Sequence, residues 1–500
     1  MTACSGDEDF PMSIASLLRG TALGLVLLAP LPAMAQAPAL PSAEGAKAVA
    51  EGVREWLAKQ LGGIVDLSAL PLRVLAEGET YRLEVPVGGA WFDGAVKVGD
   101  AAVALTVKPL EGGRWQVLGG GIPPKLSMEM KDSSGDVSRV ALALESQQTT
   151  GMYDPTLKTA SNFVSTITGY TTETTTKAGL QVSRIGKLVG RSEWAPSGPG
   201  RVTLQGDSQL EDYSTVTPVP GMGEMKVTMG RLGGSTRIEN FDMDGLATLL
   251  RTAFELGSSA KATGNGKGPT TPEQKAAALK LVGLVFSMLD AMETDYAYED
   301  IKVDGGAMFS GGLRRFGMGL SAGAPDGKVD VKLRLSAEGL ESPMIPPGPW
   351  VEFIPHKVSL TPRVSGVSKD AVVALLRTAI ETEGSDIEAQ AMALLAANPV
   401  ALGIEDLLLD VGPMRLKGTG SVEMARIDEA SGEAELRATG FDALIRRANA
   451  VPDLKAAAPV LIFLKGIARQ EGTETVWRIV YADNKVMVND TDLSDLMPSK

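Results

Sequence analysis

The feature that most constrains this chain is a period-two alternation of apolar and polar residues, sustained from Leu67 to about Arg237. Tyr81-Arg82-Leu83-Glu84-Val85, Val103-Ala104-Leu105-Thr106-Val107 and Leu126-Ser127-Met128-Glu129-Met130 follow it, as does Val140-Ala141-Leu142-Ala143-Leu144. Successive side chains of a strand point to opposite faces, so alternation gives one apolar face and one polar face. Gly88-Gly89, Gly119 to Pro124 and Ser133 to Asp136 separate the runs. Such a series reads as consecutive antiparallel strands. The threonines between Thr166 and Thr176 continue it, because β-branched side chains suit a pleated surface. No helix is expected between about Leu67 and Asn240.

Helices enter with a repeat. Leu249 to Glu255 and Leu375 to Glu381 agree at six of seven positions, and Phe441 to Ala448 is a weaker third copy. Repetition makes one structural unit a template for the others. Asp242 or Asp244 caps the first copy and Ser368 the second. Thr271 with Gln274, and Ser385 with Glu388, have the spacing of capping boxes that open a partner helix in each unit. The partner helix from Pro272 is apolar on nearly every face, which predicts burial on more than one side. Glu299-Asp300 and Glu405-Asp406 recur after the helices and are read as a turn or strand start. A third pair is expected at Asp442 to Ala450 and Asp453 to Ile467, before a hairpin at Glu474 to Tyr481 and Lys485 to Val488. Ser42 caps an N-terminal helix with the stripe Ala46, Val49, Val53, Trp56 and Leu57. The repeated leucines read as docking faces, and Arg251 and Arg377 as partners of local carboxylates.

The expected fold class is therefore α+β: an extended, curved antiparallel sheet, built as a meander, with repeated helix pairs packed along it. The segments are a signal peptide at 1–35, a leader and helix at 36–66 and a strand-rich region at 67–240. Repeat 1 follows at 241–363, repeat 2 at 364–439, and repeat 3 with the closing hairpin at 440–500.

Arg19, the apolar run Ala22 to Leu31 and Ala33-Met34-Ala35 before Gln36 have the layout of a secretory signal peptide. The run is shorter than the about 20 residues that span a bilayer. Export to the periplasm is expected, with no transmembrane span in the mature chain. Asp7, Glu8 and Asp9 put negative charge where a signal needs positive charge, so translation is expected to begin at Met12. Cys4, the sole cysteine, precedes that start, which leaves no disulfide after cleavage. A net charge of −13 argues against nucleic acid as a partner.

Chemistry is sparse. His356 is the one histidine, and no Gly-x-Ser-x-Gly elbow accompanies it. One histidine with one cysteine makes a zinc site unexpected. Gly264 to Gly268 lacks the first glycine and the Ser/Thr of a phosphate loop and reads as linker. The acidic groups Glu293, Asp295, Glu299 and Asp300, then Asp490, Asp492 and Asp495, read as solvated surface. No catalytic, cofactor-binding or metal-binding residue is assigned.

The exported start, the strand series, the Phe441-Asp442-Ala443-Leu444-Ile445 helix after Gly440 and the ending Val486 to Asp490 together carry a resemblance. The chain resembles bacterial envelope proteins of domain-of-unknown-function family 2125, and more loosely family 945. That resemblance implies an envelope location and a non-enzymatic role. The leading expectation is a protein that binds lipid or another hydrophobic envelope component in an apolar groove of the sheet. The alternatives are a periplasmic scaffold with a filled core, which would take an envelope protein partner, and a hydrolase acting on envelope material.

Overall fold

A computed structural model describes residues 41–61, 72–91, 96–131, 136–157, 159–219, 221, 223–246, 248–249, 251–253, 256, 271–306, 309–341, 348–381, 390, 393, 400–424, 430–483 and 485–494. The signal peptide, the residues around Met12, the Gly264 to Gly268 linker and all but two positions of the helix expected from Ser385 lie outside these.

Nine short strands come first: β1 (Arg73–Glu77), β2 (Thr80–Pro86), β3 (Gly89–Trp91), β4 (Val96–Val98), β5 (Ala102–Pro109), β6 (Trp115–Gly121), β7 (Lys125–Lys131), β8 (Val137–Ala143) and β9 (Ser146–Asp154). Eleven longer ones follow: β10 (Thr159–Thr176), β11 (Gly179–Gly198), β12 (Arg201–Val219), β13 (Gly223–Asp242), β14 (Ala291–Asp304), β15 (Ser310–Gly323), β16 (Lys328–Glu341), β17 (Pro355–Ser368), β18 (Val400–Val411), β19 (Met414–Met424) and β20 (Ala430–Thr439). The series closes with β21 (Arg469–Glu471), β22 (Glu474–Ala482), β23 (Lys485–Val488) and β24 (Thr491–Asp492). All 24 belong to one connected sheet.

From β10 to β20 each strand pairs antiparallel with the next in sequence. β11 and β13 have 20 residues each, a span of roughly 65 Å at strand rise. β10 carries two neighbours on one edge: Thr159 to Thr168 pairs β9, and Thr171 to Thr175 pairs β8. Gly169 separates the two stretches, with φ of 61°. The sheet therefore forks there, into β9–β6–β5–β2–β1 and β8–β7–β4–β3.

Helix α1 (Ala43–Leu61) closes the first arm. Its predicted stripe, Ala46, Val49 and Val53, packs on Leu72, Tyr81, Leu83, Val107 and Trp115. After β13, residues 243–246, 248–249 and 251–253 are helical, with Asp242 Oδ1 accepting from the backbone of Asp244 and Gly245 at 3.0 Å. Leu246 and Leu249 then pack against Phe241 and Met288, as the docking reading of the leucines requires. Helix α2 (Pro272–Met288) opens with the expected capping box of Thr271 and Gln274. Helix α3 (Lys369–Glu381) opens with Ser368 Oγ accepting from Ala371 N at 3.1 Å. Near the end, α4 (Phe441–Ala450) and α5 (Ala458–Gly466) pack beside β19 and β22.

The α+β meander thus stands, while three finer expectations change. Repeated helix pairs do not emerge as units, because α2 packs against α3, across the boundary drawn between repeats 1 and 2. Nor is α2 buried on several sides: Gln274, Ala278 and Met288 are its buried residues, and Val285 is 54% exposed. Its broad apolar surface exceeds what β13 and α3 cover. The Glu-Asp pairs do not start strands either, since both lie inside β14 and β18.

Candidate functional site

Register turns the alternation of single strands into two continuous faces. One row on the apolar face crosses all eleven meander strands without a polar side chain. It runs from Ile167 through Leu188, Leu210, Leu232, Tyr298 and Phe316 to Ala337, Val358, Leu409, Leu416 and Ala438. On β14 to β18 the apolar residues extend several rows deep, with Tyr296, Met318, Leu335, Leu360 and Leu407 in the next. Leu320, Leu333, Pro362 and Ile404 follow on β15 to β18, where β14 places Thr294, and then Met292, Ala322, Val331, Val364 and Leu402. Tyr298 and Phe316 stack obliquely, their centroids 5.8 Å apart. Helices cover this face in two places, around Phe241 where β13 ends and around Trp477 beyond β20. On β15 to β18 the field stays half-exposed: Met318 is 38% exposed, Val364 42%, Leu402 38% and Ile404 39%.

The opposite face is charged, and its charges are ordered. Lys187, Glu211, Arg231, Glu299, Arg315, Glu338, Lys357, Asp410 and Arg415 stand opposite one another on successive strands, alternating in sign from β11 to β19. Each charge between Lys187 and Arg415 thus has opposite charges on both sides, the favourable cross-strand arrangement. Beside this ladder runs a line of left-handed residues on every second strand. These are Gly169, Asp212 (φ 56°), Asp300 (φ 55°) and Gly339 (φ 70°), on β10, β12, β14 and β16. At Asp212, Asp300 and Gly339 the pairing skips one position, or two between β13 and β14, and resumes in the same register. The meander leaves the regular pleat along this transverse line.

A shallow cavity of about 830 Å³ opens on the charged face, lined by Arg231, Glu299, Arg315, Glu338 and Lys357 above Gly233, Gly317 and Gly319. The glycines have a local cause. Arg334 on β16 reaches over β15 to Asp295 on β14, with Nε to Oδ1 at 3.0 Å and Nη2 to Oδ2 at 2.8 Å. A Cβ at Gly319 would lie 2.2 Å from that carboxylate and 2.7 Å from the guanidinium nitrogen. Arg363 likewise joins Asp330 at 2.8 Å to Glu405 at 2.9 Å. Such part-exposed pairs contribute little stability each. They occupy the carboxylates that general acid–base chemistry would need free.

The residues singled out in the sequence are scattered. His356 is exposed at the start of β17. Glu293 and Asp295 both bind Arg334, Asp406 accepts from Ser359 Oγ at 2.9 Å, and Asp300 shapes backbone. Asp490 pairs with Arg469 at 2.8 Å, and Asp492 caps Ser494; Asp495 lies outside the described residues. Arg377 is exposed and forms no carboxylate pair among the described residues. Among the described residues no group of three or more His, Cys, Asp and Glu could hold a metal ion. No helix among them is long and apolar enough to cross a membrane.

The fold and its faces define a class: an extended antiparallel sheet, apolar on one side and charged on the other, with a few helices packed against it. Residues 246–486 match the family described as "Uncharacterized protein conserved in bacteria (DUF2125)", and over that stretch the chain belongs to it. No curated protein and no solved structure matches the chain.

Proposed function

We propose that this is a non-enzymatic exported envelope protein that holds the acyl chains of an envelope lipid against the apolar field of β14 to β18. One observation carries the reading: a field several rows deep, across five neighbouring strands, whose side chains remain half-exposed. Contiguous exposed apolar surface of this extent marks an interaction site. Each methylene buried there is worth about 0.8 kcal/mol, so a chain of ordinary lipid length has a large driving force. A scaffold with a filled core would bury these side chains. A hydrolase would need uncommitted carboxylates or a partnered histidine, whereas Glu293, Asp295 and Glu405 are tied to arginines.

Native mass spectrometry of the protein isolated from its own host tests the proposal. Co-purifying lipid, exchangeable with lipid from added vesicles, is the expected result. Bare protein, both as isolated and after incubation with vesicles, would overturn it.

A further inference from the structure

Helix α5 presents a second exposed apolar surface, away from the central field. Val460 is 59% exposed, Ile462 54%, Phe463 47% and Leu464 36%, although the helix is only nine residues long. Leu461 points the other way and joins the core formed by Phe441, Leu444 and Trp477. Two further contacts fix the helix in place. Trp477 Nε1 donates to Leu464 O at 2.8 Å, and Lys465 pairs with Asp442. The outward apolar face is therefore held rigidly and is not a frayed end.

Its electrostatic setting differs from that of the whole chain. Residues 443–469 carry five cations in a chain of net charge −13; Arg447, Lys465 and Arg469 pair with Glu352, Asp442 and Asp490, which leaves Arg446 and Lys455. Lys455 stands just before the helix and Lys465 in its last turn. Arg446 and Lys455 are exposed and form no ion pair among the described residues. An apolar face flanked by cations matches the boundary between acyl chains and anionic headgroups, where aliphatic and aromatic side chains sink and lysines reach phosphates. At about 1.5 Å per residue the helix is roughly 14 Å long, which suits lying in that boundary and not crossing it.

We propose that α5 is a membrane-docking element that seats Val460, Ile462 and Phe463 in the interfacial layer of an anionic bilayer. The proposal rests on different residues from the lipid-binding field, so either can fail alone. In a Cys4→Ser background, Val460→Cys is labelled with an environment-sensitive dye in the full chain and mixed with phosphatidylglycerol-containing vesicles. Emission should shift to the blue, while the same dye at Glu433→Cys, on the charged face of β20, should not respond. Phe463→Asp in the labelled chain should weaken vesicle partitioning about tenfold or more without lowering the melting temperature. Lys455→Glu should weaken it about tenfold on anionic vesicles and little on phosphatidylcholine, since each basic group near an anionic surface is worth about fivefold. Absence of a shift with anionic vesicles would overturn the proposal, as would retention of the shift in both variants. So would a shift that appears without vesicles and grows with protein concentration, which would identify a second copy as the occupant.

Discussion

Asp212 and Asp300 keep left-handed backbone in the middle of long strands, a conformation that costs an ordinary L-residue about 1–2 kcal/mol. Aspartate tolerates it better than a β-branched residue does, because its short polar side chain can satisfy backbone locally. Asp300→Val should therefore destabilise the protein by about 2 kcal/mol, while Asp300→Gly should be near neutral; chemical denaturation of the two variants measures the difference. The Glu-Asp recurrence was visible in sequence, yet its meaning was not. Alternation reports which face a side chain takes and is silent on the sign of φ, so Glu299-Asp300 looked like a strand start. Asp410 carries a second residue-scale consequence. Its carboxyl is held below the ordinary carboxylate range, chiefly by the hydrogen bonds from Arg415 and against the opposing effect of burial. A depressed folded-state value means stability that is present above about pH 4 and lost as pH falls through the folded value. Arg415→Met should lower stability at neutral pH and flatten its decline on the acid side, as read from melting temperature against pH.

At the scale of elements, the alternating ladder makes neighbouring strands depend on one another. Arg315 lies opposite Glu299 on one side and Glu338 on the other. Arg315→Glu converts both attractive pairs into like-charge pairs, with each pair worth roughly 0.2–1 kcal/mol. A loss of about 1 kcal/mol is expected at low salt, and it should shrink as salt approaches 1 M, where screening acts within about 3 Å. Reversing Glu338 as well repairs one contact but spoils the one with Lys357 on β17 and sets a cation beside Arg314, so the double variant should recover none of the loss. Helix starts were more legible than helix surroundings. The capping residues Thr271, Gln274 and Ser368 act as their spacing predicts, because a cap is a local hydrogen-bonding device. The burial of α2 was not legible, because the number of apolar faces on a helix does not say how many neighbours the fold supplies.

At the scale of the whole molecule, sequence order and spatial order coincide from β10 to β20, which is why a meander could be read strand by strand. The fork at β10 could not, since it depends on one strand being long enough to serve both β8 and β9. Neither could the depth of the apolar field, which exists only after register aligns Met318 with Leu335 and Leu402 with Val364. That alignment separates two kinds of substitution that single-strand reasoning treats alike. Met318 and Leu402 are each 38% exposed, so a lysine at either can reach water and should cost little folding stability. Within a lipid-covered field the same lysines would face acyl chains, where a cation is costly. Met318→Lys with Leu402→Lys should therefore leave the melting temperature of lipid-free protein within a few degrees and reduce retained lipid about tenfold or more. A matched Ser336→Lys, on the charged face beside Gly317, should leave lipid retention unchanged. Equal retention in the apolar-face and charged-face variants would remove the field of β14 to β18 as the lipid site and leave any bound lipid to be sought elsewhere on the molecule.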